Sequence, residues 1–185
     1  LVRDMGTLVS AIVEAMESLL DKPYALFGFS MGSLVAFEVA RALRRRGKRP
    51  PQHLFVSARF APDAPLPVPD PLHLLGDTRF VEEMGRVYGL PDHMSHDADL
   101  LRLIVPMMKA DMELLEKYRY AAEPPLSCPI SAFVGDRDPS VPGEGIERWR
   151  THTTASFSAE RLAGPHHFLD RHTDAMVRSI RAALR

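Results

Sequence analysis

The sequence predicts an α/β fold: a mostly parallel sheet flanked by helices, with a helical insertion. Three observations point there. Short apolar or β-branched runs, YALF at 24–27, HLFVSA at 53–58, PISAFVG at 129–135 and FSAERLAG at 157–164, alternate with stretches whose apolar residues recur every three or four positions. Such alternation implies parallel strands joined by right-handed crossovers, with both faces of the sheet covered. A proline-rich segment after the second run leads into a block of helical pattern, which interrupts the alternation before it resumes.

Taken in order, Met5, Leu8, Val9, Ile12, Met16, Leu19 and Leu20 form one face of a first helix, and Pro23 stops it. YALF is the first strand. A helix from about Gly32 to Arg46 follows, closed by Gly47, a common residue just past a helix end. HLFVSA is the second strand. The run APDAPLPVPDP, within 59–71, can feed neither a ladder nor a helix interior and reads as an extended linker. Arg79 to Tyr120 is helical in pattern and rich in methionine, with breaks expected near Gly89 and Pro91 and again at Pro106. The insertion therefore spans 72–122 within one domain of 1–185. PISAFVG, a helical stretch ending near Arg150, FSAERLAG and a last helix to Leu184 complete the chain.

Composition narrows the function classes. The chain has 185 residues, enough for a single core, and a formal net charge of -1, which gives no footprint for nucleic acid. Arg44, Arg45 and Arg46 read as cations offsetting the carbonyl end of a helix. Cys128 is the only cysteine, so no disulfide can form within the chain and a reducing, cytoplasmic setting is expected. No apolar run approaches the ~18 residues of a membrane span, and the first residues lack the form of a signal peptide. No cofactor and no metal site is assigned.

Reactive groups in a parallel sheet gather at the carboxyl ends of the strands. Gly28-Phe29-Ser30-Met31-Gly32 stands at the first such end as a G-x-S-x-G. Composition alone yields this pattern in about one chain in twenty of this length, so its place between a strand and a helix is what matters. The two glycines are needed if the chain turns so sharply that side chains there would collide, and that turn lifts Ser30 above the sheet. A serine needs a base to become a nucleophile, and Met31 N–H, at the helix amino end, can hold a developing oxyanion. The loop GDRDPSVP offers Asp136 or Asp138, and GPHHFL offers His166 or His167. The chain order Ser, Asp, His matches that of α/β-hydrolases.

With these motifs the sequence resembles the type II thioesterases of the α/β-hydrolase fold, the stand-alone partners of polyketide and nonribosomal peptide synthases. The resemblance spans the chain: FGFSMGSLVAFEVARAL, GLPDHM, VPMMKADMELLEKYRY, LSCPISAFVGDRDPSVP, the tryptophan of ERWRTHT, and GPHHFL. It implies Ser30 as nucleophile, Asp138 as the acid and His166 as the base, with residues 72–122 as a helical lid. Asp138 is preferred over Asp136 because the family places its acid three residues after the loop glycine, here Gly135. Phe29, Met107 and Met108 are assigned to the acyl-binding surface, within a set that also includes Met84, Met94 and Met112.

The implied substrate is an acyl thioester on the phosphopantetheine arm of an acyl carrier protein or peptidyl carrier domain. Two departures stand out: Phe29 replaces the family's usual histidine before the nucleophile, and Pro165 its usual glycine. Relatives also carry early strands and a second oxyanion donor ahead of the position of Leu1, so the chain is expected to be a piece of a larger domain, its YALF edge otherwise left unpaired. An esterase or lipase on small oxygen esters, or a non-catalytic synthase-binding module, are the competing readings.

Overall fold

The computed structural model describes residues 1–65, 71–90, 94, 97–141 and 144–185. The centre of the proline-rich linker, the expected break at Pro91 and Pro142 of the acid loop lie outside the described residues. Helix α1, Met5–Met16, is capped by Asp4, whose carboxylate accepts from Thr7 N–H at 2.8 Å. Strand β1, Leu26–Phe29, leads into helix α2, Met31–Arg45, and strand β2, Leu54–Ser57, follows. Two helices come next, α3, Asp77–Tyr88, and α4, Ala98–Lys117. Strand β3, Ile130–Gly135, strand β4, Phe157–Leu162, and helix α5, Leu169–Ala183, complete the chain.

The strands lie in the order β1-β2-β3-β4, each pair parallel. Pleating sends alternate side chains to opposite faces. Leu54, Val56, Ile130 and Ala132 pack against Ala36, Phe37 and Ala40 of α2 and against Trp149. Phe55 and Phe133 turn the other way, onto Phe168 and Met176 at and along α5. Helices thus cover both faces, and every strand end with reactive residues opens on one side. A third cluster joins α1, α2, α3 and α4 through Val9, Val13, Leu34, Phe80 and Leu115.

Three expectations need correction. Pro106 does not break the block, because α4 runs through it. Proline removes one helix hydrogen bond, yet Pro106 is exposed, where water can satisfy the freed carbonyl, while buried Val105 and Met112 anchor the helix on either side. The helical stretch before Arg150 is only a 3-10 helix, Glu147–His152, whose Trp149 is fully buried. The first helix ends at Met16, and Leu19, in the 3-10 turn that follows, is 62% exposed rather than on the buried face.

Of the three arginines at the end of α2, Arg44 and Arg45 pair with Glu123 at 2.7 and 2.6 Å instead of serving the helix end alone. The buried Arg41 joins Glu38 to Glu123 at 2.6 and 2.8 Å, tying α2 to the segment between α4 and β3. Cys128 is buried, and desolvation raises its thiol pKa to about 11.

Candidate active site

β1 and α2 are separated by Ser30 alone, which holds φ 52 and ψ −117, a backbone conformation that side-chain-bearing residues rarely adopt. Ser30 N–H donates to Ser57 O at 2.8 Å, and the fully buried Ser33 hydroxyl lies 2.8 Å from both Gly28 O and Ser57 O. Those bonds fasten the turn to β2. Gly28 is required: a Cβ there would sit 2.1 Å from Gly32 O. Gly32 is not, since a Cβ on it would meet no atom within 4 Å, so the expectation of a collision at both glycines holds for the first alone. Met31 opens α2, and the N–H of a first-turn residue has no acceptor within its own helix.

His166 Nε2 lies 3.1 Å from Ser30 Oγ, and His166 Nδ1 lies 2.9 Å from Asp138 Oδ2. Both partners of that second bond are buried, His166 at 3% and Asp138 at 6% exposure. Asp136 is exposed; its carboxylate accepts from Gly164 N–H at 2.8 Å and thereby pins the start of the histidine loop. That bond holds the Asp136 carboxyl below its ordinary pKa. His167 is exposed beside the site and stacks on Phe29 at 6.0 Å.

Residues not singled out from sequence complete the arrangement. Ser140 Oγ donates to Asp138 Oδ1 at 2.6 Å and stands 3.0 Å from His166 Nδ1, so one hydroxyl touches both side chains. Tyr88, at the end of α3, meets the His166 ring edge to face with centroids 5.2 Å apart, and Phe29 stands at the same separation, tilted. The only prior hint of Ser140 was its place in GDRDPSVP, where a serine two residues after an aspartate reads as a turn former.

Over Ser30 opens a cavity of about 280 Å³ lined by Phe29, Met31, Met84, Tyr88, Met108 and Met112. Of the residues assigned to the acyl-binding surface, Phe29 and Met108 line this cavity. Met107 does not: it is 55% exposed and absent from the cavity wall, because one residue along α4 turns the side chain by about 100° to the outer face. Asp111, on the rim, has its carboxyl pushed above the usual range by desolvation. Among the described residues no cluster of three or more His, Cys, Asp or Glu side chains could hold a metal ion, and no helix is long and apolar enough to cross a membrane.

The thioesterase domain family matches residues 1–184. Linear gramicidin dehydrogenase LgrE of Brevibacillus parabrevis is 35% identical over 98% of this chain and 70% of its own. Thioesterase PikA5 of Streptomyces venezuelae is 39% identical over 79% of this chain and 51% of its own. Among solved structures, RedJ, a thioesterase from the prodiginine biosynthetic pathway in Streptomyces coelicolor, is 37% identical with a TM-score of 0.90, covering 98% of this chain and 72% of that one. The chain thus spans between 51% and 70% of the length of these two curated relatives. LgrE's name speaks of a dehydrogenase, but the turn here carries G-F-S-M-G, not the G-x-G-x-x-G spacing that cradles a dinucleotide. Family match, fold and turn agree: this chain belongs to the thioesterase family, thioester hydrolases of the α/β-hydrolase fold, and its neighbours include the type II thioesterases of polyketide and nonribosomal peptide pathways.

Proposed function

We propose that Ser30, His166 and Asp138 work as a catalytic triad that releases acyl groups from the phosphopantetheine arm of an acyl carrier protein or peptidyl carrier domain. One observation carries it: the imidazole is bonded on one side to a buried carboxylate and stands 3.1 Å from a serine hydroxyl on the other. His166 Nε2 takes the Ser30 proton as Oγ attacks the thioester carbonyl carbon, and Met31 N–H steadies the oxygen as it becomes negative. The carbon–sulfur bond breaks and the proton on Nε2 passes to the departing thiol. Water then attacks the acyl-serine carbonyl carbon and gives a proton to Nε2; the carbon–Oγ bond breaks, Ser30 Oγ takes that proton back from Nε2, and the carboxylic acid leaves. Asp138 keeps the Nδ1–H tautomer in place throughout.

The inserted helices α3 and α4 act as the lid over this reaction, and Met84, Met108 and Met112 give the acyl chain an adaptable apolar wall. The carrier-bound substrate draws its support from neighbours of polyketide and nonribosomal peptide pathways, such as ClbQ of the colibactin pathway. The test is hydrolysis of a panel of acylated carrier domains set against nitrophenyl esters of the same acyl groups. Higher kcat/KM on the carrier-bound thioesters is expected. Equal or better turnover of the oxygen esters would instead mark an esterase.

A further inference from the structure

Arg59, two residues beyond β2, is only 6% exposed. Its backbone is held on both sides, since Trp149 Nε1 donates to Arg59 O at 2.9 Å and Ala58 before it is kept at φ 53. A side chain so fixed and so buried would ordinarily end on a carboxylate, because an unpaired charge away from water is costly. Here the guanidinium makes no hydrogen bond or ion pair with any described residue, and its Nε is buried without an acceptor. Its compensation is the face of Phe60, 4.1 Å from the guanidinium carbon. Burial pushes its pKa down to about 10.

The side chain borders a cavity of about 410 Å³ shared with Phe60, Leu115, Tyr118, Arg119 and Tyr120. Asp63, on the same wall, cannot serve as the missing anion: one carboxylate oxygen bonds His152 and the other Arg148, each at 3.0 Å. This cavity adjoins the one over Ser30. Leu115 lines both, and Tyr88, which touches His166, lies within electrostatic range of Arg59.

We propose that Arg59 forms an anion-binding subsite beside the serine, where it receives a negatively charged oxygen group of the substrate. A ligand that reaches Ser30 with its thioester can carry such a group in two places: the phosphate of the carrier arm, or a carboxylate on the acyl chain. In either case a planar, fully charged donor in a dry setting gives strong and selective binding. The proposal rests on the thioesterase reading for its substrate, though not for the anion site itself.

Two measurements decide it. On the unaltered chain, inorganic phosphate and malonate are titrated while the Arg59 Nε–H resonance is followed at constant ionic strength; a saturable shift is expected, and a resonance that moves no more than with chloride overturns the proposal. In kinetics, kcat/KM is compared between acetyl-S-4′-phosphopantetheine and acetyl-S-pantetheine, and between malonyl- and acetyl-S-pantetheine. One of these ratios should exceed about tenfold and fall to about one in Arg59→Gln. The first ratio identifies the phosphate, the second the carboxylate; two ratios near one in the unaltered enzyme, or a preference that survives in Arg59→Gln, overturn the proposal. Absence of any thioester hydrolysis would count against the thioesterase reading, and the titration would still decide the anion site.

Discussion

Gly135 and Gly164 lie so close that a Cβ built on the first would sit 2.4 Å from the carbonyl oxygen of the second. Gly135 ends β3 and leads to Asp138; Gly164 lies two residues past the end of β4 and leads to His166. The two loops that carry Asp138 and His166 are therefore pressed together by the lack of a side chain. Arg137 N–H, donating to Gly164 O at 3.0 Å, and Asp136, accepting from Gly164 N–H, complete the join.

Gly135→Ala should push the histidine loop away from the acid loop. A displacement near 1 Å can lower turnover about 100-fold. Steady-state kinetics should show the loss in kcat with a smaller change in KM. Full activity in the alanine variant would mean that the loops have slack that these contacts do not show.

Ser140→Ala removes the hydroxyl that donates to Asp138 and faces His166 Nδ1. Ser140 positions the pair and touches no reacting atom. Loss of a net hydrogen bond of about 1–2 kcal/mol corresponds to a drop in kcat of about 5- to 30-fold. Ser140→Thr, which keeps the hydroxyl, should recover part of it. If both variants fall alike, the site is merely sensitive to packing.

Met108→Ala should enlarge the cavity over Ser30 and move acyl preference toward longer chains. A pocket change of about one methylene is worth about 10-fold or more in relative kcat/KM. Met107→Ala should leave that preference within about twofold, because its side chain lies on the outer face of α4. A chain-length series on carrier-bound acyl groups measures both.

Asp111→Asn tests the electrostatics of the cavity rim. Partial desolvation at the cavity rim raises the folded pKa of this otherwise exposed carboxyl above its unfolded value, so on raising the pH the unfolded chain gives up its proton first. Stability therefore falls as pH climbs through that window, and the full penalty is present above it. The asparagine variant should melt higher than the parent at neutral pH, with the gap closing below about pH 4. A gap that persists in acid would assign the effect to packing.

Much of this architecture was legible in the residues because it is local. The run from YALF into a helix contains its own turn signal, and Gly28 tells of the close approach that the structure shows at 2.1 Å. The four strands follow from short apolar runs with turn residues at their ends. What was not legible depends on contacts between distant positions. Spacing could not separate Asp136 from Asp138, and only the family resemblance chose between them; the structure gives each carboxylate a different partner. Ser140 and Tyr88 became visible only once β3, α3 and the histidine loop met. Helical period likewise could not tell that Met108 faces the serine and Met107 the solvent, since that depends on how α4 is rolled against α3. Proline propensity misled at 106 because an exposed helix face tolerates the missing bond.

The central claim is that Ser30 and His166 act as one unit. The most direct measurement is kcat/KM on an acylated carrier domain for Ser30→Ala, His166→Ala and the double variant. Each single change should cost about 10⁵- to 10⁶-fold, and the double should cost no more than either alone. Losses that multiply in the double variant, or a Ser30→Ala enzyme with substantial turnover, would contradict the account.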